Sequence, residues 1–84
     1  MNYTVFVGTA AQKELGDLPE DIRNRIETAL QNLAAEPRPA GCKKLKESPF
    51  WRIRVGNYRA LYLIEDAKKS ISVIRVAHRS KAYR

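Results

Sequence analysis

Apolar positions recur along the chain in two rhythms, first helical and then alternating. Tyr3–Val7 (YTVFV) is rich in β-branched and aromatic residues and predicts a short opening strand. Thr9, with Gln12 three residues on, reads as a capping box that starts a short helix ending near Gly16. Pro19 suits the first position of a second, longer helix, and Glu20 and Asp21 are favourable in its first turn. Ile22, Ile26, Ala29, Leu30, Leu33 and Ala34 then form one apolar stripe, with Arg23, Glu27 and Gln31 on the wet side. Pro37 and Pro39 stop the helix, because proline cannot donate into its ladder.

From Gly41 the period shortens to two. Lys43–Lys46 predicts a short edge strand, and Phe50–Val55 and Tyr58–Ile64 predict strands joined by Gly56-Asn57. A last strand is predicted from Ile71 to His78, after a polar turn over residues 65–70. The order β-α-α-β-β-β-β is an α+β layout, with two N-terminal helices packed on one face of a twisted antiparallel sheet. No repeat or linker interrupts the 84 residues, so the expectation is one domain, 1–84.

Charge then divides the chain. Residues 1–42 hold four basic and six acidic side chains, a net −2, and residues 43–84 hold twelve and three, a net +9. The anion-binding surface is therefore expected in the second half. Scattered lysines on a solvated face are the bland alternative, so convergence of the arginines is what matters. One cysteine, Cys42, rules out an intramolecular disulfide, and one cysteine with one histidine leaves no zinc cluster of that kind. No metal or cofactor is expected. No apolar run approaches a membrane span, and the N-terminus lacks a secretory pattern. These features point to a cytoplasmic domain with a polyanionic partner and no membrane partner.

The hairpin decides what kind of surface this is. Gly56-Asn57 suits a two-residue turn, since both residues tolerate positive φ. Val55 then faces Tyr58, Arg54 faces Arg59, and alternation adds Arg52 to the same face. Trp51, Ile53, Val55, Tyr58, Ala60 and Tyr62 point to the other, helix-covered face. Like charges directly opposite cost energy, which an anion between the arms would offset. The alternative is that the arginines pair with Glu47, Glu65 or Asp66, or splay into water. Leu61 and Leu63 share the arginine face and need cover, for which the C-terminal segment is the candidate. A one-residue slip in the turn would reverse both faces. The final run His78-Arg79-Ser80-Lys81-Ala82-Tyr83-Arg84 adds charge at Arg79, a ring and hydroxyl at Tyr83, and at His78 a group of near-neutral ordinary pKa. Aromatic stacking beside a basic groove is how single-stranded RNA is held. Tyr83 could equally close the edge of the core, and His78 could be an ordinary strand-end histidine.

Taken in order, several features resemble the RelE/ParE superfamily of toxins from type II toxin–antitoxin pairs. They are the opening strand, Leu15–Leu18 with the Ile22–Leu33 helix, Pro37, Lys44-Leu45, the Trp51–Arg59 core (WRIRVGNYR), Tyr62 and the closing Val76-Ala77-His78-Arg79 with Tyr83. The resemblance covers essentially the whole chain. It implies the RelE-like fold and, on the RelE-like branch, an endoribonuclease (mRNA interferase) that needs no metal and cuts mRNA, often in the ribosomal A site. A ribose 2′-hydroxyl would attack the adjacent phosphate. Arg52, Arg54 and Arg59 match the basic positions that hold the scissile phosphate, Arg79 the late arginine at the leaving oxygen, and Tyr83 the terminal tyrosine that orients a base. His78 is a candidate for the general base, and Tyr83 is the other candidate for that role. Lys43, Lys44, Lys46, Lys81 and Arg84 are candidates for contact with RNA and the ribosome, near the 16S rRNA of the A site. The implied partner is a cognate antitoxin, acidic where it covers the basic face. The ParE-like branch, which poisons DNA gyrase without nuclease activity, and a non-catalytic nucleic-acid-binding domain are the competing readings.

Overall fold

A computed structural model of the chain describes residues 2–80. The chain runs β1 (Thr4–Val7), α1 (Thr9–Gly16), α2 (Glu20–Asn32), β2 (Lys43–Lys44), β3 (Trp51–Val55), β4 (Tyr58–Glu65) and β5 (Ser70–His78). The strands form one sheet in the order β1-β5-β4-β3-β2. Strands β2 to β5 pair antiparallel, each turning back on the last, as expected. β1 is the addition: it lies parallel to β5, with Val5 beside Ile71 and Val7 beside Val73, so the sheet is mixed. A parallel neighbour needs a crossover, and the intervening chain with its two helices provides it.

Helix boundaries differ from expectation at two caps. Gly8, not Thr9, is the N-cap of α1, and Thr9 is already helical. Gln12 reaches back as foreseen, but its Nε2 donates to the Val7 carbonyl at 2.7 Å. Pro19 is the N-cap of α2 rather than its first helical residue, with Glu20 and Asp21 in the first turn beside the positive end of the helix dipole. β2 is shorter than predicted, two residues against four.

The stripe on α2 packs as its spacing requires. Ile26, Leu30 and Leu33 are buried with Ala11 and Leu15 of α1 against Ile53, Ala60, Tyr62, Ile71, Val73 and Val76 of the sheet. Burying one such aliphatic side chain contributes about 1.5–3 kcal/mol. Tyr62 is fully buried, and its hydroxyl donates to the Pro37 carbonyl at 2.9 Å, which ties β4 to the segment that ends α2. Burial holds that phenol well above its ordinary pKa, so it stays a donor.

One irregularity shapes the site. Leu61 pairs with Arg75, but Tyr62 pairs with Val73, so Ile74 is an extra residue in β5. Such a bulge resets the alternation, and Val73 and Val76 both face the core although they are three apart. No helix among the described residues is long and apolar enough to cross a membrane.

Candidate phosphate-binding face

The two-residue turn forms as its Gly-Asn sequence requires. Gly56 adopts φ +60°, and Val55 faces Tyr58 while Arg54 faces Arg59. Residues opposite each other share a face, so rows run across the sheet. One row is Lys43–Arg52–Leu61–Arg75 and the next is Arg54–Arg59–Ala77, all on the face away from the helices. Three arginines of one hairpin therefore share a surface. The alternative with the faces reversed does not occur, because Ile53, Ala60 and Tyr62 are in the core.

Arg52 is the unusual member. It is 7% exposed, and its Nε is buried with no hydrogen-bond partner. Among the described residues no carboxylate pairs with it. Asp66 is bound to Arg38 at 2.9 Å and to the Tyr3 hydroxyl, and Glu65 lies 3.9 Å from Lys68. A buried, uncompensated charge is costly, several kcal/mol in general. Arg54 is exposed and Arg59 half-buried. A groove of about 450 Å³ opens at the edge of β3, between the end of α2 and the 39–43 segment, and Lys43, Arg52 and Arg54 line it.

The remaining candidates divide. Lys43 joins the arginine face, whereas Lys44 pairs with Trp51 and belongs to the other row. Lys46 is exposed in the loop after β2. Arg75 stands on the arginine face by register, but Glu14 of α1 takes its guanidinium at 2.7 Å. The other oxygen of Glu14 accepts the Val76 N–H at 2.7 Å, closing the edge of β5 that β1 leaves open. Arg79 is brought to the hairpin turn, its N–H donating to the Asn57 carbonyl at 2.8 Å.

His78 does not join the arginines. The bulge sets it opposite Tyr58, on the helix-side face, and the two rings meet edge-on with centroids 5.4 Å apart. Ala77 is the residue beside Arg59. The His78 Nδ1 lies 3.3 Å from the Ser80 N–H and 3.0 Å from the Ser80 hydroxyl oxygen. Tyr83, Lys81 and Arg84 lie outside the described residues.

Sequence reasoning missed Arg25. It sits on the polar side of α2, yet both of its terminal nitrogens come within 3.8 Å of where a Cβ on Gly56 would stand. No pattern in the sequence ties that helix position to the turn.

A family model described as "ParE toxin of type II toxin-antitoxin system, parDE" matches residues 5–83. The chain belongs to the RelE/ParE toxin family. "Toxin RelG" of Mycobacterium tuberculosis is 36% identical to this family member over 86 residues, covering 100% of this chain and 99% of that one. A toxin–antitoxin complex from M. tuberculosis contains a similar chain, with a TM-score of 0.81, 34% identity and coverage of 94% and 100%. The archaeal RelE–RelB complex of Pyrococcus horikoshii gives a TM-score of 0.85 at 27% identity, covering 98% of this chain and 100% of that one.

Proposed function

We propose that this RelE/ParE family member is the toxin of a type II pair and an endoribonuclease that cuts mRNA on the ribosome. A single observation carries the reading: Arg52, nine-tenths buried with no carboxylate partner among the described residues, shares a face with the directly opposed Arg54 and Arg59. A face that accepts both costs is suited to an anion with several oxygens, and arginine forks match phosphate.

In this mechanism the 2′-hydroxyl attacks the adjacent phosphorus and the 5′-oxygen leaves. The products carry a 2′,3′-cyclic phosphate and a 5′-hydroxyl. Negative charge grows on the non-bridging oxygens, and Arg52, Arg54 and Arg59 stabilise it where it develops. Arg79, held against the turn, serves the leaving oxygen, and Tyr83 orients a base. Alignment of the 2′-oxygen for in-line displacement supplies much of the remainder. His78, on the opposite face beside Tyr58, is not given the proton from the 2′-hydroxyl; Tyr83, as the phenolate that neighbouring arginines would favour, is the side chain left for that role. The antitoxin is the partner expected to cover the arginine face, where Phe6 is exposed and Leu61 and Leu63 are half-buried beside the charges.

The test is induction of the protein in a bacterial host, followed by primer-extension mapping of transcript 5′ ends. In-frame cuts confined to translated regions are expected. Intact transcripts with accumulating gyrase–DNA cleavage complexes would instead establish the ParE-like activity.

A further inference from the structure

Arg25 is an exposed residue of α2 with an acid, Asp21, one turn upstream at a spacing suited to an ion pair. It makes no such pair. Its guanidinium instead lies beside Gly56, with both terminal nitrogens 3.8 Å from where a Cβ would stand. That position moves the charge away from an available carboxylate and toward the turn that Arg54 and Arg59 flank and the Arg79 N–H closes. An anion on that side of the turn would offset the choice.

The shape of the surface agrees. The groove beside Arg52 and Arg54 is bounded on its α2 side by Ala29 and Asn32. The same two residues bound a second groove that continues to Arg25, Thr28 and Val55. The path therefore runs unbroken from the arginine face, along the edge of β3, to Arg25. Gly56 lies two residues beyond Arg54, roughly 6–7 Å along an extended chain. That offset is about one backbone step of an extended single strand.

We propose that Arg25 is a further RNA-contacting residue. It takes a phosphate flanking the one held by Arg52, Arg54 and Arg59, and carries the RNA path around the hairpin onto α2. This rests on the nuclease reading above. It adds a positioning contact and assigns no chemistry to Arg25.

The experiment measures binding of a short single-stranded RNA, 2′-O-methylated throughout to prevent attack, across a salt series. Wild type, Arg25→Met and Arg25→Lys are compared, with melting temperatures for each. Arg25→Met keeps most of the side-chain volume and removes the charge. It is expected to weaken binding roughly three- to fivefold at low salt, an effect typical of one exposed charge contact. It should also flatten the slope of log affinity against log salt by about 0.7. Arg25→Lys should restore both. A slope unchanged in Arg25→Met overturns the proposal, and a fall in melting temperature alone would make Arg25 a support for the turn. A wild type that binds the RNA while only the Arg25 prediction fails leaves the nuclease reading standing. A wild type that neither binds this RNA nor cleaves mRNA on induction overturns both.

Discussion

Two arginines at the start of β3, one on each side of the sheet, show how one side-chain type is used in two ways. Arg38 lies over the Trp51 ring, 5.0 Å from its centroid, and binds both oxygens of Asp66, which also accepts from Tyr3. The Arg38 guanidinium there has a matching carboxylate, and the cluster joins the segment after α2, the start of β1 and the β4–β5 turn. Arg52 adjoins Trp51 in sequence but points to the other face, where it is buried with no acid paired to it among the described residues. Arg75 stands in the same row as Arg52, yet Glu14 neutralises it. Acids are thus available to the fold and are used on Arg38 and Arg75. Positive charge left uncompensated in the interior is what separates a ligand site from a structural ion pair.

The strongest attempt to break that distinction is Arg52→Met. If the charge is kept for a substrate, its removal should have opposite effects on stability and activity. Cleavage of mRNA in a translation extract should fall roughly 10²-fold or more, the scale of losing one donor to a transition-state anion. Stability should rise by about 1 kcal/mol, read as a melting temperature about 4–8 °C higher for a domain this small. A variant that loses both activity and stability would make Arg52 a structural residue, and the contrast with Arg38 would disappear.

Glu14 sharpens the comparison from the paired side. Its carboxylate bonds both the Arg75 guanidinium and the Val76 N–H, so two substitutions separate the roles. Glu14→Ala leaves the half-buried N–H of β5 unpaired and should cost about 1–2 kcal/mol in urea unfolding. Glu14→Gln keeps an acceptor for that N–H and should recover most of the loss. Both should cleave mRNA at nearly the wild-type rate, because Arg75 is placed outside the phosphate contacts. A large loss of cleavage in Glu14→Gln would bring Arg75 into the site.

Much of this layout was legible in the residues themselves, and its failures have specific causes. The Gly-Asn turn fixes the hairpin register locally, which is why Arg54 opposite Arg59 could be read directly. The α2 stripe was legible because a helix repeats its own face. The face of His78 was not legible, because strict alternation from Ile71 would send it to the arginine side and the bulge at Ile74 reverses that. The step of three from Val73 to Val76, both apolar, was the available signal. The parallel pairing of β1 and the approach of Arg25 to Gly56 join segments remote in sequence, and no local pattern encodes them. The cap of α1 shifted by one residue because Gln12 found the Val7 carbonyl instead of completing a box with Thr9.

The smallest expected effect tests whether the Arg38 cluster is structural alone. Arg38 first, and the Tyr3 hydroxyl second, hold the Asp66 carboxyl below its ordinary pKa. A carboxylate depressed in the folded state adds stability above its unfolded value, about 3.9, and loses it as pH falls through the lower folded value. Asp66→Asn removes that dependence. Its melting temperature should lie below wild type at neutral pH, and the two curves should converge as the medium is acidified below about pH 4. The gap should be small, because the pair is solvent-exposed and screened by salt. Cleavage of mRNA at neutral pH should be unchanged. Curves that stay parallel into acid would show that the carboxylate charge contributes nothing, whereas lost cleavage would show that the Arg38 cluster and the Arg52 face are coupled rather than separate.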